Sequence, residues 1–397
     1  MRNFGILASA VALSACGGGG SNSAQSAGSL AVGGGGSITQ TSSFVAPTAA
    51  ATYSGIGVVQ HYEYFTQSNA SGQGGQLYAA DAGTARDSGI SITYDPRDAI
   101  FDLTINRPKG LVSSGALRFQ DPAHRTNFGG LVQPQASVPN LNAPTDKGIQ
   151  YLESGSGSGS VLIAGTPSRY AVGADGYASN VNTFFYQKPG TTTKYVTYAG
   201  YIHNTLGTST QTDPVTAATF LRNTYSLDRA AFVYGERTTN SAVPVTGIGT
   251  YTGDMVATMV FNSKIDTDPL ASTYFQWISG SNTTTINFAT KTVSQHLTGT
   301  ALAPAMDAYT SGTYDIPTGS AFVANATGTV DLAGKGGFSG SFTDASFTGV
   351  ATVNIAGSSL DGAFFGPNGE EVGGAFRIVG GTPDERIDIL GTYTGKK

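Results

Sequence analysis

One cysteine among 397 residues, Cys16, excludes any disulfide within the chain. Charge is scarce as well: Asp, Glu, Lys and Arg together make up 12%, against about a quarter in ordinary globular proteins. With a net charge of −5 and no basic run, the electrostatic footprint of a nucleic-acid-binding protein is missing. No apolar run near the start is long enough to be a helical anchor, because Phe4 to Leu13 falls well short of the about 20 residues a spanning helix needs. Catalytic signatures are absent too. There is no G-x-S-x-G elbow and no G-x-x-x-x-G-K-[ST] phosphate loop, and Gly247, Gly249 and Gly253 miss the dinucleotide-binding spacing. The four histidines, His61, His124, His203 and His296, include no H-E-x-x-H pair. His61 and Glu63 would share one face of a strand, a ligand-like pair that falls short of the three or four ligands a metal needs. Nothing in the sequence brings two carboxylates together as a glycosidase pair. No catalytic and no metal-binding residue is therefore assigned, no cofactor is expected beyond a covalent lipid, and the chain reads as a binding protein rather than an enzyme.

What is present begins with an export signal. Arg2 supplies a positive charge, Phe4 to Leu13 the short apolar stretch, and Ser14 and Ala15 the small residues before Cys16. The order Leu13-Ser14-Ala15-Cys16 resembles the bacterial lipobox, which implies cleavage between Ala15 and Cys16 and acylation of Cys16. A lone thiol exposed outside the cytoplasm would otherwise be an oxidation liability. Two or three acyl chains hold a protein firmly where one gives only marginal binding. Gly17 stands where lipoproteins kept at the inner membrane commonly carry Asp, so the expected location is the outer membrane, lipid-anchored and at the cell surface. From Gly17 to about Gln40 the chain is Gly, Ser and Ala with few large apolar side chains, a flexible tether spanning some 25 Å on average.

The remainder reads as all-β. Glycine, at 55 residues, is about twice its usual share, and Thr, Ser, Tyr and Phe favour strands and turns. ISITYDPRDAIFDLTIN reads as a hairpin, with Ile90, Ile92 and Tyr94 leading into Asp95-Pro96-Arg97-Asp98 and Phe101, Leu103 and Ile105 returning. Further strands are expected at TKYVTYAGYIH and RAAFVYGERT. The polar stretches Ser154 to Ser160 and Thr208 to Val215 show no period and read as loops.

From about Gly247 onward, short strands separated by turn residues recur. Two-residue alternation runs through Phe322, Ala324, Ala326, Gly328, Val330 and Leu332, through Ile387, Ile389, Gly391 and Tyr393, and through Phe347 to Ile355, taken as one half-buried strand. STYFQWIS and TTINFAT read as two separate strands. Buried faces that mix Gly and Ala with Phe, Tyr and Ile suit the tapering inside of a closed eight-stranded barrel, which leaves no free edge. Two aromatic groups, Phe184 to Tyr186 before a Lys-Pro-Gly turn and Tyr274, Phe275 and Trp277, read as core rather than binding anchors, because large aromatics are usually buried.

Gly362 to Ile378, GAFFGPNGEEVGGAFRI, resembles the barrel signature of the transferrin-binding protein B family of surface lipoproteins: a strand ending F-[FY]-G-P, a tight turn, then E-x-G-G-x-F. Pro367, Asn368 and Gly369 suit the turn, Gly373 and Gly374 a close approach or a bulge, and Phe364 and Phe376 the interior. Ala230 to Asp254 is similar to the stretch that enters the first barrel strand in that family. The resemblance implies a β-rich handle domain followed by a C-terminal eight-stranded antiparallel β-barrel. The organisation expected is 1–15 signal peptide, 16–44 lipidated tether, 45–240 handle and 241–397 barrel, with the link at Thr239 to Val245. It further implies capture of an iron carrier, haem, a haem protein or another solute, with a TonB-dependent outer-membrane receptor as partner. The length leaves room for one such lobe, whereas the best-known members have two. A structural or adhesive surface lipoprotein with no uptake role is the alternative, and which residues bind a ligand is not legible in the sequence.

Overall fold

The computed structural model describes residues 42–82, 88–106, 114–121, 126–134, 138–158, 178–262, 264, 267–268, 273–302, 316–381 and 386–397. Ala15 and Cys16 lie outside them, as does His124. Ten strands come first: β1 (Ala51–Ser54), β2 (Ile56–Gln67), β3 (Ala70–Ala82), β4 (Ile90–Asp95), β5 (Ile100–Ile105), β6 (Ser114–Phe119), β7 (Ile149–Ser158), β8 (Ala178–Gln187), β9 (Val196–Thr212) and β10 (Thr219–Gly235). They form a four-stranded sheet, β1-β4-β5-β6, and a six-stranded sheet, β3-β2-β10-β9-β8-β7. One 3₁₀ turn, Asn240–Ala242, leads on to nine more strands: β11 (Ile248–Asn262), β12 (Tyr274–Asn287), β13 (Thr292–Ala301), β14 (Ala321–Asp331), β15 (Gly337–Phe347), β16 (Ala351–Thr352), β17 (Ile355–Phe365), β18 (Glu371–Gly380) and β19 (Arg386–Lys396). Eight of these, all but the two-residue β16, pair antiparallel in sequence order. The sheet closes where β19 pairs with β11. The fold is thus all-β, a handle of two sheets followed by an eight-stranded antiparallel barrel.

Period two explains the layers. On β19, Ile387, Ile389 and Tyr393 point into the barrel, where they meet Met255, Met259, Phe338, Phe364 and Phe376. Small and large residues alternate so that the lumen is filled by side chains. Tyr393 lies over Gly362 and Gly374 and donates from Oη to the Asp361 carbonyl at 3.1 Å. A Cβ on Gly374 would sit 2.0 Å from the Asp361 carbonyl oxygen and 2.5 Å from Tyr393 Oη, so the backbone itself would have to move. Gly374→Ala should lower stability by about 2 kcal/mol, the usual scale of overpacking; denaturant unfolding of the purified variant checks this.

The outward residues of the same strands build the other core. Val256, Trp277, Ala363, Ala375 and Leu390 pack against Ile56, Val58, Phe185, Val196, Tyr198, Ala231 and Val233 of the six-stranded sheet. The opposite face of that sheet carries Val59, Phe184, Tyr186, Tyr201, Phe232 and Tyr234, which meet Ile90, Ile92, Phe101, Leu103 and Phe119 of the four-stranded sheet. The six-stranded sheet is therefore the middle layer, with apolar residues on both faces.

Several expected boundaries change. Phe347 to Ile355 is not one strand: Phe347 ends β15, Gly349 adopts φ +71°, and the chain reverses before β16 and β17. Its alternation is fortuitous, because a turn glycine fell in phase with the buried positions. STYFQWIS and TTINFAT are halves of one strand, β12, because Gly280 allows Thr298 on β13 to approach where a Cβ would lie 1.9 Å from a carbonyl oxygen. Thr208 to Thr212 and Ser154 to Ser158 belong to β9 and β7. In β9, Ser209 and Thr210 are exposed, whereas Thr208 is buried and donates its hydroxyl to Asn223 Oδ1 at 2.7 Å. Gly373 and Gly374 make a close approach, not a bulge, since the β17–β18 register is unbroken there.

Candidate functional site on the handle sheet

Beyond the edge of the four-stranded sheet, the outer face of the middle sheet turns polar. In β9, β10 and β2 the barrel-facing residues stay buried, including Leu206, Tyr225, Leu227, Tyr62 and Tyr64, while alternates such as His61, Glu63, His203 and Ser226 are partly exposed and Asp228 stays buried. The first row past the covered half is His61 of β2, Asp228 of β10 and His203 of β9, aligned by register. Asp228 Oδ1 lies 2.6 Å from His61 Nδ1 and its Oδ2 lies 2.9 Å from His203 Nδ1. His61 Nε2 stands 3.2 Å from Glu63 Oε1, and His203 Nε2 stands 3.0 Å from Asn180 Oδ1. Burial pushes the Asp228 carboxyl up, but its hydrogen bonds with His203 and His61 outweigh that and hold it below the usual carboxylate range. The hydrogen bond with Asp228 raises the His61 pKa against the opposing effect of burial, with Glu63 adding to the rise. The expected same-face pair His61 and Glu63 is real. Its partners Asp228 and His203 arrive from strands far along the chain and leave no local trace beside it. Among the described residues no group of three or more His, Cys, Asp or Glu is placed to hold a metal ion.

Two ends of the molecule differ. At one end Phe44 inserts between Tyr53 and Tyr234, with ring centroids 5.2 and 5.7 Å away, and Ser42 donates to Glu236 at 3.3 Å. Residues 42–44 are pinned there. The barrel connections at that end are the short turns 288–291, 332–336 and 366–370. At the opposite end lie the end of β11, the start of β12 and the β2–β3 and β9–β10 turns. At about 3.3 Å per residue, β9 alone spans roughly 56 Å between the two ends. At its tip Asp213 Oδ1 accepts the amides of Val215 and Thr216 at 2.8 and 3.0 Å and leaves Val215 91% exposed. These backbone hydrogen bonds, from Thr216 above all, hold the Asp213 carboxyl low.

Of the aromatics singled out in the sequence, Phe184, Phe185, Tyr186, Phe275 and Trp277 are core, and the side chain of Tyr274 lies outside the described residues. Phe184 and Tyr186 face the four-stranded sheet, Phe185 faces the barrel, and Trp277 meets Phe185 edge-on at 5.4 Å. Handle and barrel are further joined by polar groups. The buried Glu371 accepts the amides of Lys194, Tyr195 and Val196 at 2.6, 2.8 and 3.1 Å. Asp388 of β19 accepts from Arg377 Nε at 2.9 Å and from Tyr78 of the handle at 2.7 Å. Burial pushes both carboxyls up, against the pull of these donors.

The family described as C-lobe and N-lobe beta barrels of Tf-binding protein B matches residues 243–397, the stretch that closes into the barrel. The C-terminal domain is similar to the barrels of transferrin-binding protein B. Within the motif that marked the resemblance, Glu371 and Ala375 sit at the seam with the handle while Phe376 fills the barrel in this transferrin-binding protein B-like chain. No curated protein matches it. Among solved structures, a transferrin-binding protein B variant from Haemophilus parasuis Hp5 is 12% identical, with 87% of this chain and 76% of that one covered at a TM-score of 0.29. Intact Ap-TbpB, with its N and C lobes, is 10% identical over 88% and 78%, at 0.30. The isotype 1 protein from serogroup B Neisseria meningitidis is 11% identical over 88% and 77%, at 0.25. The domain match, not these alignments, carries the assignment.

Proposed function

We propose that this protein is an outer-membrane surface lipoprotein that captures an iron-bearing ligand, a carrier protein, haem or a haem protein, and delivers it to a TonB-dependent receptor. The observation that carries the reading is the match of residues 243–397 to the barrels of a transferrin-binding protein. The proposed binding end is the one that carries the β9–β10 tip. The chain enters the described fold beside Phe44, and the β9–β10 tip with its exposed Val215 lies at the opposite end, which supports that tip as the contact surface. Capture rather than catalysis fits a seam and lumen already filled by side chains, which leave the loops as the variable surface.

Two experiments test it. Cys16→Ser should abolish incorporation of labelled palmitate and move the protein out of the membrane fraction; retention in that fraction without label would end the lipoprotein reading. Residues 41–397, immobilised and exposed to extracts of iron-limited cells and to iron-loaded carriers, should retain a TonB-dependent receptor or an iron-bearing ligand. If folded material retains neither, the structural or adhesive alternative takes its place.

A further inference from the structure

The row formed by His61, Asp228 and His203 has an asymmetry in its donors and acceptors. Ionised carboxylates only accept hydrogen bonds, whereas a neutral imidazole offers one N–H and one lone pair. Both ring nitrogens of His61 face carboxylate oxygens, Asp228 Oδ1 at 2.6 Å and Glu63 Oε1 at 3.2 Å. A neutral His61 would turn a lone pair towards one of them; only the imidazolium supplies a donor to each. His203 is different. Its Nδ1 also faces Asp228, but its Nε2 faces the side-chain amide of Asn180, which can turn to present either its oxygen or its nitrogen. His203 therefore fits in either protonation state, and His61 is the member that depends on its proton.

We propose that this row is a proton switch in the handle sheet: the imidazolium of His61 fastens β2 to β10 at the start of their projecting halves, and loss of that proton loosens them. The charged groups around His61 are few. β10 supplies Asp228 and β2 itself supplies Glu63. On β3 the residues opposite are Ala79 and Leu77, with Asp81 further along the same face. β9 contributes His203, reached through Asp228, and Tyr201, whose hydroxyl donates to Asn182. The next cation along the face, Arg222, lies over the Phe65 ring at 4.2 Å.

The direction of the switch follows from linkage. A histidine whose folded pKa is raised above 6.5 adds stability that is complete below that value and is lost as pH rises through the folded pKa. Asp228, lowered from 3.8, adds stability present above that value and lost as pH falls through its folded pKa. The row is fastened below pH 6.5 and is released as pH rises through the raised pKa of His61. Because Tyr62, Tyr64, Tyr225 and Leu227 pack these strands on the barrel side, release loosens the outer halves without unfolding the sheet.

Amide hydrogen exchange of the whole protein between pH 5.5 and 8.5, scaled for the intrinsic rate at each pH, reads this directly. Protection over 61–67 and 219–228 should fall several-fold as pH rises, while strands of the barrel interior stay unchanged. His61→Gln should flatten the dependence. Glu63→Gln, which replaces an obligate acceptor with an amide and leaves the fold's cores untouched, should lower the titration midpoint of His61 in histidine-labelled NMR spectra. Protection independent of pH, a wild-type pH profile in His61→Gln, or an unmoved midpoint in Glu63→Gln would each overturn the switch.

Discussion

Glu371→Ala should destabilise the folded unit by about 3 kcal/mol, because it strips three backbone amides of their acceptor at a buried seam. Each unpaired buried N–H costs about 1–3 kcal/mol, and bonds to a charged acceptor lie at the upper end of their range. Part of that is returned, since burial already disfavours the Glu371 carboxylate and the smaller side chain removes it. Glu371→Gln should cost less. Its single carbonyl oxygen can serve Tyr195 and Val196, which share Oε2, while its NH₂ opposes the Lys194 amide. Denaturant midpoints of the two variants give the comparison; equal losses would mean that volume, not hydrogen bonding, holds this part of the seam.

Phe185→Ala should have a comparable effect, about 3–4 kcal/mol, the range for removing a fully buried phenylalanine. Phe185 is the handle's side of an edge-on contact with Trp277 on the barrel, and both are buried. Trp277 is the chain's only tryptophan, so its fluorescence reports on this seam alone. The variant should show red-shifted emission before unfolding, as water gains access to the ring. Stability lost with emission unchanged would place the damage elsewhere, for instance in the position of Gly200, whose Cα lies under the Phe185 ring.

The sequence made the barrel legible because its two faces obey period two under strong constraint: a lumen that must be filled with alternating Gly, Ala and aromatic side chains leaves a regular trace on β14, β18 and β19. The same rule failed at Phe347 to Ile355, where a turn glycine kept phase by chance. The handle was harder. Its middle sheet is buried on both faces in its inner half, so Phe184, Phe185 and Tyr186 run consecutively with no alternation to read. Its outer half is polar on one face, so Thr208 to Thr212 looked like a loop. Of the candidate site, only His61 and Glu63 were visible, because two residues apart on one strand is a local relation. Asp228 and His203 join them only through the pairing of β2, β10 and β9, a non-local register that no local pattern encodes.

The most direct test of the capture role is photo-crosslinking on iron-limited cells, with the reactive residue placed at Val215 on the β9–β10 tip or at Lys291 in a short turn at the Phe44 end. Both positions are exposed and neither contributes to a core. The expected result is an adduct with an iron carrier or a TonB-dependent receptor from Val215 and none from Lys291. Adducts from Lys291 alone, or none from Val215 with the protein folded and surface-displayed, would contradict capture at the loop end.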